Sequence, residues 1–140
     1  MDLKLSGAQI EKLIQAGFPS SEPFMHVDEL KVGAARIRMP YKKWMLRPGN
    51  TISGPAIFTA ADMAMYVCTM GHIGPELMAV TSDMTLHFLN KGVPGDVIAD
   101  ARLLKLGRRL AVMDVLIYSG ADPQTAIAHV SGSYALPPKK

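Results

Sequence analysis

Between Arg47 and Glu76 the chain carries one charged side chain, Asp62, in otherwise apolar sequence. Its run, Gly54–Met70, holds four alanines, three methionines and Ile57, Phe58, Tyr66 and Val67. That composition predicts a helix apolar nearly all round, which marks a buried helix. A carboxylate in such a helix costs several kcal/mol unless it is paired or open to a cleft. Two readings stand side by side: Asp62 reaches solvent at a subunit edge or is satisfied by a neighbouring hydroxyl, or it is a catalytic carboxylate tuned by its environment.

The start of the same helix, Ser53-Gly54-Pro55, is the second place where chemistry is available. Ser53 is a good N-cap, and Pro55 suits the first turn, where a missing N–H costs little. Free amides at a helix N-terminus point outward and carry partial positive charge, so they can polarise a carbonyl and stabilise an oxyanion. Gly54 lets a ligand approach the backbone, although an ordinary capped helix has the same appearance. Eight positions separate Gly54 from Asp62, about 12 Å along one helix. One subunit cannot easily bring both to the same carbonyl. A partner helix running antiparallel across a two-fold axis can, which predicts a site at a dimer interface.

The elements that position these residues follow from pattern. A helix is expected over Ser6–Ala16, capped by Ser6, with Ile10, Leu13 and Ile14 on one face and Gly17, Pro19 and Ser20-Ser21 ending it. Strands are expected over Phe24–Leu30 and Ala34–Met39, then a loop over Tyr41–Ser53 with Pro48-Gly49-Asn50 as turn formers. After the central helix the period changes from 3.6 to 2. Met78–Leu89, Asp96–Leu106, Arg109–Tyr118 and Ala126–Leu136 read as long strands in an antiparallel meander, with Ala111, Met113, Val115 and Ile117 on one face of the third. Lys139-Lys140 reads as a frayed tail. The order describes an α+β chain: one domain over residues 1–140, a curled antiparallel sheet of about six strands wrapped around one long central helix. That is the hotdog architecture, and it leaves an outer sheet face to be covered, usually by dimerisation or tetramerisation.

The 140 residues are 49% hydrophobic and 19% charged, with net charge +3. Disorder is excluded by the apolar content, and dedicated nucleic-acid binding by the weak, dispersed basicity. The single cysteine, Cys68, permits no intramolecular disulfide and reads as a buried, inert thiol. His26, His72, His87 and His129 are scattered over surfaces or interfaces, and no spacing suggests a metal site. The Met1–Leu5 segment lacks the pattern of a signal peptide, and Ala56–Met70 is shorter than a bilayer span and interrupted by Asp62, so a soluble cytoplasmic protein without membrane partners is expected.

The run Thr51-Ile52-Ser53-Gly54-Pro55-Ala56-Ile57-Phe58-Thr59-Ala60-Ala61-Asp62 resembles the helix motif of hotdog-fold acyl-CoA thioesterases of the phenylacetic-acid-degradation type. Val80–Leu89 looks like that family's next strand, and Asp96–Arg109 like the strand and turn that follow. The resemblance, spanning about Leu46 to Leu136, implies hydrolysis of an acyl-CoA or related thioester, with no cofactor beyond the coenzyme A of the substrate. It makes Asp62 the nucleophile or general base and the Gly54 N–H the oxyanion donor from the other subunit. It implies that Thr81 helps position the attacking water, and that Lys105, Arg108 and Arg109 meet the nucleotide. Ser53 stands where the family usually has His, Pro55 where it has a second Gly, and Arg47 where it has Asn; Arg47 offers a carboxylate or phosphate contact, or caps the loop. Trp44 and Met45 line an acyl pocket or pack in the core. The competing functions are a non-catalytic acyl-CoA binding or sensing module and a hotdog dehydratase or hydratase, against which Ser53 argues.

Overall fold

The computed structural model describes residues 2–17, 22–76 and 78–138. Its first helix, α1 (Gly7–Ala16), is fixed by a reciprocal cap: Gln9 N–H donates to Ser6 Oγ at 3.2 Å, and Ser6 N–H to Gln9 Oε1 at 2.8 Å. Ile10 and Ile14 are buried, whereas Leu13, expected on the same face, is exposed. Pro19, Ser20 and Ser21, expected to end the helix, and Lys139-Lys140 lie outside the described residues.

Strands β1 (His26–Lys31) and β2 (Ala34–Met39) form a hairpin. The expected loop contains a 3-10 turn at Lys43–Met45 and a short ladder of β3 (Leu46–Arg47) with β4 (Thr51–Ile52). Gly49 and Asn50 make its turn with positive φ, the conformation these two residue types tolerate best. Helix α2 runs from Gly54 to Ile73, three residues beyond the expected end. Gly71 does not stop it; it lets Leu30 pack against the helix, since a Cβ there would lie 2.9 Å from Leu30 Cδ1. Of the two terminators expected, Gly71 and Gly74-Pro75, it is Gly74, at φ +97°, that closes the helix. By length and composition α2 could cross a membrane, but most of it is buried within its own sheet.

The remaining strands are β5 (Val80–Phe88), β6 (Val97–Leu106), β7 (Leu110–Ser119) and β8 (Asp122–Ala135). All neighbours are antiparallel, in the order β1-β2-β6-β7-β8-β5. The four long strands are therefore not a plain meander. The chain crosses over after β5, which pairs with β8 and forms one edge of the sheet. The expected turn at Ser119–Pro123 is tighter: Asp122 already pairs with Ser119, and a register shift follows it.

The sheet curls on α2 because both contact surfaces are small. Ala56, Ala60, Ala61 and Ala64 on the helix and Ala35, Ala99, Ala101, Ala111 and Ala128 on the sheet are buried. Methionines, Met39, Met65, Met70 and Met113 among them, fill the irregular gaps that remain. The expected inward set of β7, Ala111, Met113, Val115 and Ile117, is buried.

The outer face of the sheet is partly polar. It carries a row of ion pairs, with Arg36 to Asp100 at 2.6 and 2.8 Å, Arg38 to Asp28 at 3.0 Å, and Arg102 and His129 on Asp114 at 2.9 and 3.3 Å. Burial works against ionisation of Asp114, but its bonds from Arg102 and His129 outweigh this and hold its carboxyl below the usual range. His72 is not at a surface. It is buried, accepts from Gly33 N–H at Nε2 (2.9 Å), and so donates from Nδ1 to the Cys68 carbonyl (2.7 Å), stapling α2 to the β1–β2 turn.

One irregularity shapes the region beside α2. The β5–β8 register shifts between Thr81 and Asp83, so Ser82 is an extra residue. Gly132 on β8 accommodates this bulge: a Cβ there would lie 2.6 Å from the Asp83 carbonyl oxygen and 2.9 Å from Met65 Cε. Gly132→Ala should therefore lower unfolding stability by about 1–3 kcal/mol, read as a fall in melting temperature; an unchanged melting temperature would contradict this packing.

Candidate functional site

Asp62 sits in the middle of α2, half-buried, on the one stripe of that helix its own sheet leaves uncovered: Pro55, Phe58, Thr59, Asp62, Met63 and Tyr66. The spacing of three and four residues gives them one face. The all-round burial read from composition therefore holds for the rest of α2 and fails on this stripe. Two hydroxyls hold the carboxylate. Thr81 Oγ1 on β5 donates to Asp62 Oδ1 at 2.5 Å, and the Tyr134 hydroxyl on β8 donates to the same oxygen at 2.8 Å. The Tyr134 oxygen also lies 3.1 Å from the Asp62 carbonyl, tying the strand to the helix backbone.

Register explains the convergence. Thr81 and Tyr134 are cross-strand partners, and Ala111 on β7 is the other partner of Tyr134. The bulge at Ser82 turns Thr81 inward, and the short Ala111 side chain leaves room for the tyrosine ring. That ring is tilted 51° to Tyr66 with centroids 6.3 Å apart. Burial raises the Tyr134 hydroxyl far above an ordinary phenol; Thr81 pulls it down, and the Asp62 charge raises it again. It is therefore a neutral donor at any working pH. Sequence reasoning missed Tyr134. The available signal was a tyrosine at an inward strand position, whose hydroxyl needs a buried partner.

At the start of α2 three backbone groups have different fates. Ala56 N–H donates to Ser53 Oγ at 3.2 Å, and Ile57 N–H to the Ser53 carbonyl at 3.1 Å. Pro55 has no N–H. The Gly54 N–H has no acceptor among the described residues, so it is the free donor of this helix end. The Phe88 ring lies beside it, 3.6 Å from where a Gly54 Cβ would stand. Ser53 is buried and turned onto its own helix, so it serves as the cap. Arg47 is exposed on the β3–β4 turn next to Thr51, near this end.

The structure thus brings Asp62 and Thr81 together, and Ser53, Gly54 and Arg47 at the other end of the helix segment, about 12 Å away along its axis. Lys105, Arg108 and Arg109 are exposed around the β6–β7 turn and make no ion pair among the described residues. That turn lies at the Asp62 end of the sheet, since Ala111 pairs with Tyr134 and the Arg109 carbonyl accepts from Leu136 N–H at 2.8 Å. Met45 is buried, its carbonyl accepting from Ser53 N–H at 2.7 Å, while Trp44 is exposed beside Phe24, Met39 and Pro40. Cys68 is buried, and burial pushes its thiol up to about 12, so it is no nucleophile. No group of three or more His, Cys, Asp or Glu suited to a metal occurs among the described residues.

Residues 49–126 match the thioesterase superfamily. A candidate thioesterase of a Silicibacter species, known from its crystal structure, is 34% identical with a TM-score of 0.87, over 99% of this chain and 96% of that one. A variant of the phenylacetic acid degradation protein PaaI of Thermus thermophilus is 23% identical with a TM-score of 0.68, over 81% of this chain and 93% of that one, a likeness of fold. A candidate esterase of Saccharolobus solfataricus is 26% identical over 95 residues, covering 66% of this chain but only 61% of that protein's length.

Proposed function

Because this chain belongs to the thioesterase superfamily, we propose that it hydrolyses an acyl thioester, with acyl-CoA as the substrate and the Asp62 carboxylate doing the chemistry. The observation that carries this reading is the state of Asp62: a carboxylate anchored by two hydroxyls at one oxygen, on the uncovered stripe of a helix whose own N-terminus keeps one free amide. As general base, Asp62 takes a proton from water while the water oxygen attacks the thioester carbon. As nucleophile, it attacks that carbon itself and water then cleaves the mixed anhydride. In either course the carbonyl oxygen gains charge, the Gly54 N–H stabilises it, the C–S bond breaks, and the thiolate leaves and is protonated. The Thr81 proton is committed to Asp62, so Thr81 can orient water only by accepting from it.

The amide and the carboxylate meet across a homodimer. Along β5, Thr81 at one end adjoins Asp62, and Phe88 at the other adjoins Gly54. Among the described residues the outer edge of β5 has no strand partner. Pairing β5 antiparallel with a second copy would set the Thr81 end of one chain beside the Phe88 end of the other. Asp62 then faces the partner's Gly54, and the uncovered stripe of α2 is buried. Two such dimers could join as a tetramer. Lys105, Arg108 and Arg109, on the Asp62 side, supply positive charge for the coenzyme A phosphates, and Arg47 adds charge from the chain that gives the amide.

Acyl-CoA binding without turnover is the second reading. It draws on the helix end, where Ser53 and Pro55 leave one free amide.

Asp62→Asn keeps the shape and removes the charge, so turnover should fall on the order of a hundredfold or more across a panel of acyl-CoAs. Wild-type-like turnover would refute the role of Asp62, and acyl-CoA binding by an inactive wild type would select the second reading. Arg108→Glu with Arg109→Glu should raise the KM for acyl-CoA, most at low salt, where phosphate attraction is least screened; an unchanged KM would remove the nucleotide from this turn.

A further inference from the structure

Tyr134 lies outside the sequence resemblance's set of acting residues, yet it makes as close a contact with the carboxylate as any residue except Thr81. Both donors converge on Oδ1, at 2.5 and 2.8 Å, and no described residue donates to Oδ2. We propose that Tyr134 is a positioning residue which, with Thr81, commits Oδ1 of Asp62 to the fold and leaves Oδ2 as the oxygen that acts on substrate or water.

The geometry suits this division. A carboxylate oxygen has two lone-pair directions, and two hydroxyl donors fill those of Oδ1. The carboxylate then cannot rotate without breaking both bonds, so the direction of Oδ2 is set before any substrate arrives. Tyr134 is suited to hold it. The residue is 3% exposed and its hydroxyl also lies within 3.1 Å of the Asp62 carbonyl. Its ring rests against Tyr66, one helical turn beyond Asp62. A buried side chain of this kind touches the acting residue and not the exposed stripe of α2, so it should affect the chemical step and not substrate binding.

The kinetic part of the test rests on the hydrolytic reading, and a spectroscopic part does not. Tyr134→Phe keeps the ring and deletes the donor. It should lower kcat about tenfold, the order expected for one lost hydrogen bond to a charged group, while KM changes less than about twofold, because uniform substrate binding is untouched. Independently, the asymmetric carboxylate stretch of Asp62, isolated as the infrared difference against Asp62→Asn, should move in Tyr134→Phe. It should move the opposite way when 3-fluorotyrosine, a stronger donor of nearly the same shape, is placed at position 134; this substitution also serves if Tyr134→Phe folds poorly. A band that stays in place in the folded variants overturns the proposal, whatever the turnover. So does an unchanged kcat in Tyr134→Phe of an active enzyme. If the band moves while the wild type hydrolyses no thioester, the clamp stands and the hydrolytic reading falls.

Discussion

A carboxylate placed in an apolar helix must be stabilised locally, and much of this structure is arranged around that requirement. Asp62 would be costly against the alanine and methionine surface that packs α2 into its sheet. Thr81 and Tyr134 meet the cost from two neighbouring strands. For Thr81 to turn inward, β5 needs the extra residue Ser82; for β8 to pass that bulge, it needs Gly132; for Tyr134 to fit beneath β7, its cross-strand partner is the small Ala111. The placement of one charge thus accounts for an irregular strand, a glycine and an alanine.

The other end of the same helix obeys a complementary rule. An N-terminus that caps itself fully has nothing to offer a ligand. Here Ser53 satisfies Ala56, Pro55 removes one donor, and Gly54 is left with a free N–H. The separation of that amide from Asp62 is fixed by helix geometry at about 12 Å, and neither rotamer changes nor loop motion can close it within one chain. In the proposed dimer a second helix running the other way closes it, along the edge of β5 that has no strand partner among the described residues.

Much of this was legible in the residues. The apolar run around Asp62 marked the central helix, the period-2 alternation of Ala111–Ile117 marked the inner face, and Ser53 marked the cap. What escaped had physical reasons. The run of the helix past Met70 through Gly71 escaped because a sequence does not reveal that Leu30 needs the space there. The position of β5 beside β8 depends on a crossover that alternation cannot encode. His72 looked like a surface histidine because its two backbone partners are 4 and 39 residues away. Tyr134 was hidden similarly: its partner Asp62 lies 72 residues away, and no local pattern joins them. The bland reading of Asp62, satisfaction by a hydroxyl, is geometrically correct, and it is what leaves the other oxygen available.

A site shared between two chains can be tested by restoring it from two broken ones. Asp62→Asn removes the carboxylate. Gly54→Pro removes the free N–H at the first helical position, where proline is well tolerated and the preceding Ser53 is already extended. Each variant alone should be inactive. After unfolding and refolding together in equal amounts, half of the dimers are mixed, and each holds one site with both an intact Asp62 and an intact Gly54 of the partner subunit. The mixture should regain about a quarter of wild-type thioesterase activity, as expected for random pairing in a two-fold dimer. Verified mixed dimers that remain as inactive as the parents would contradict a site built from the carboxylate of one chain and the amide of the other.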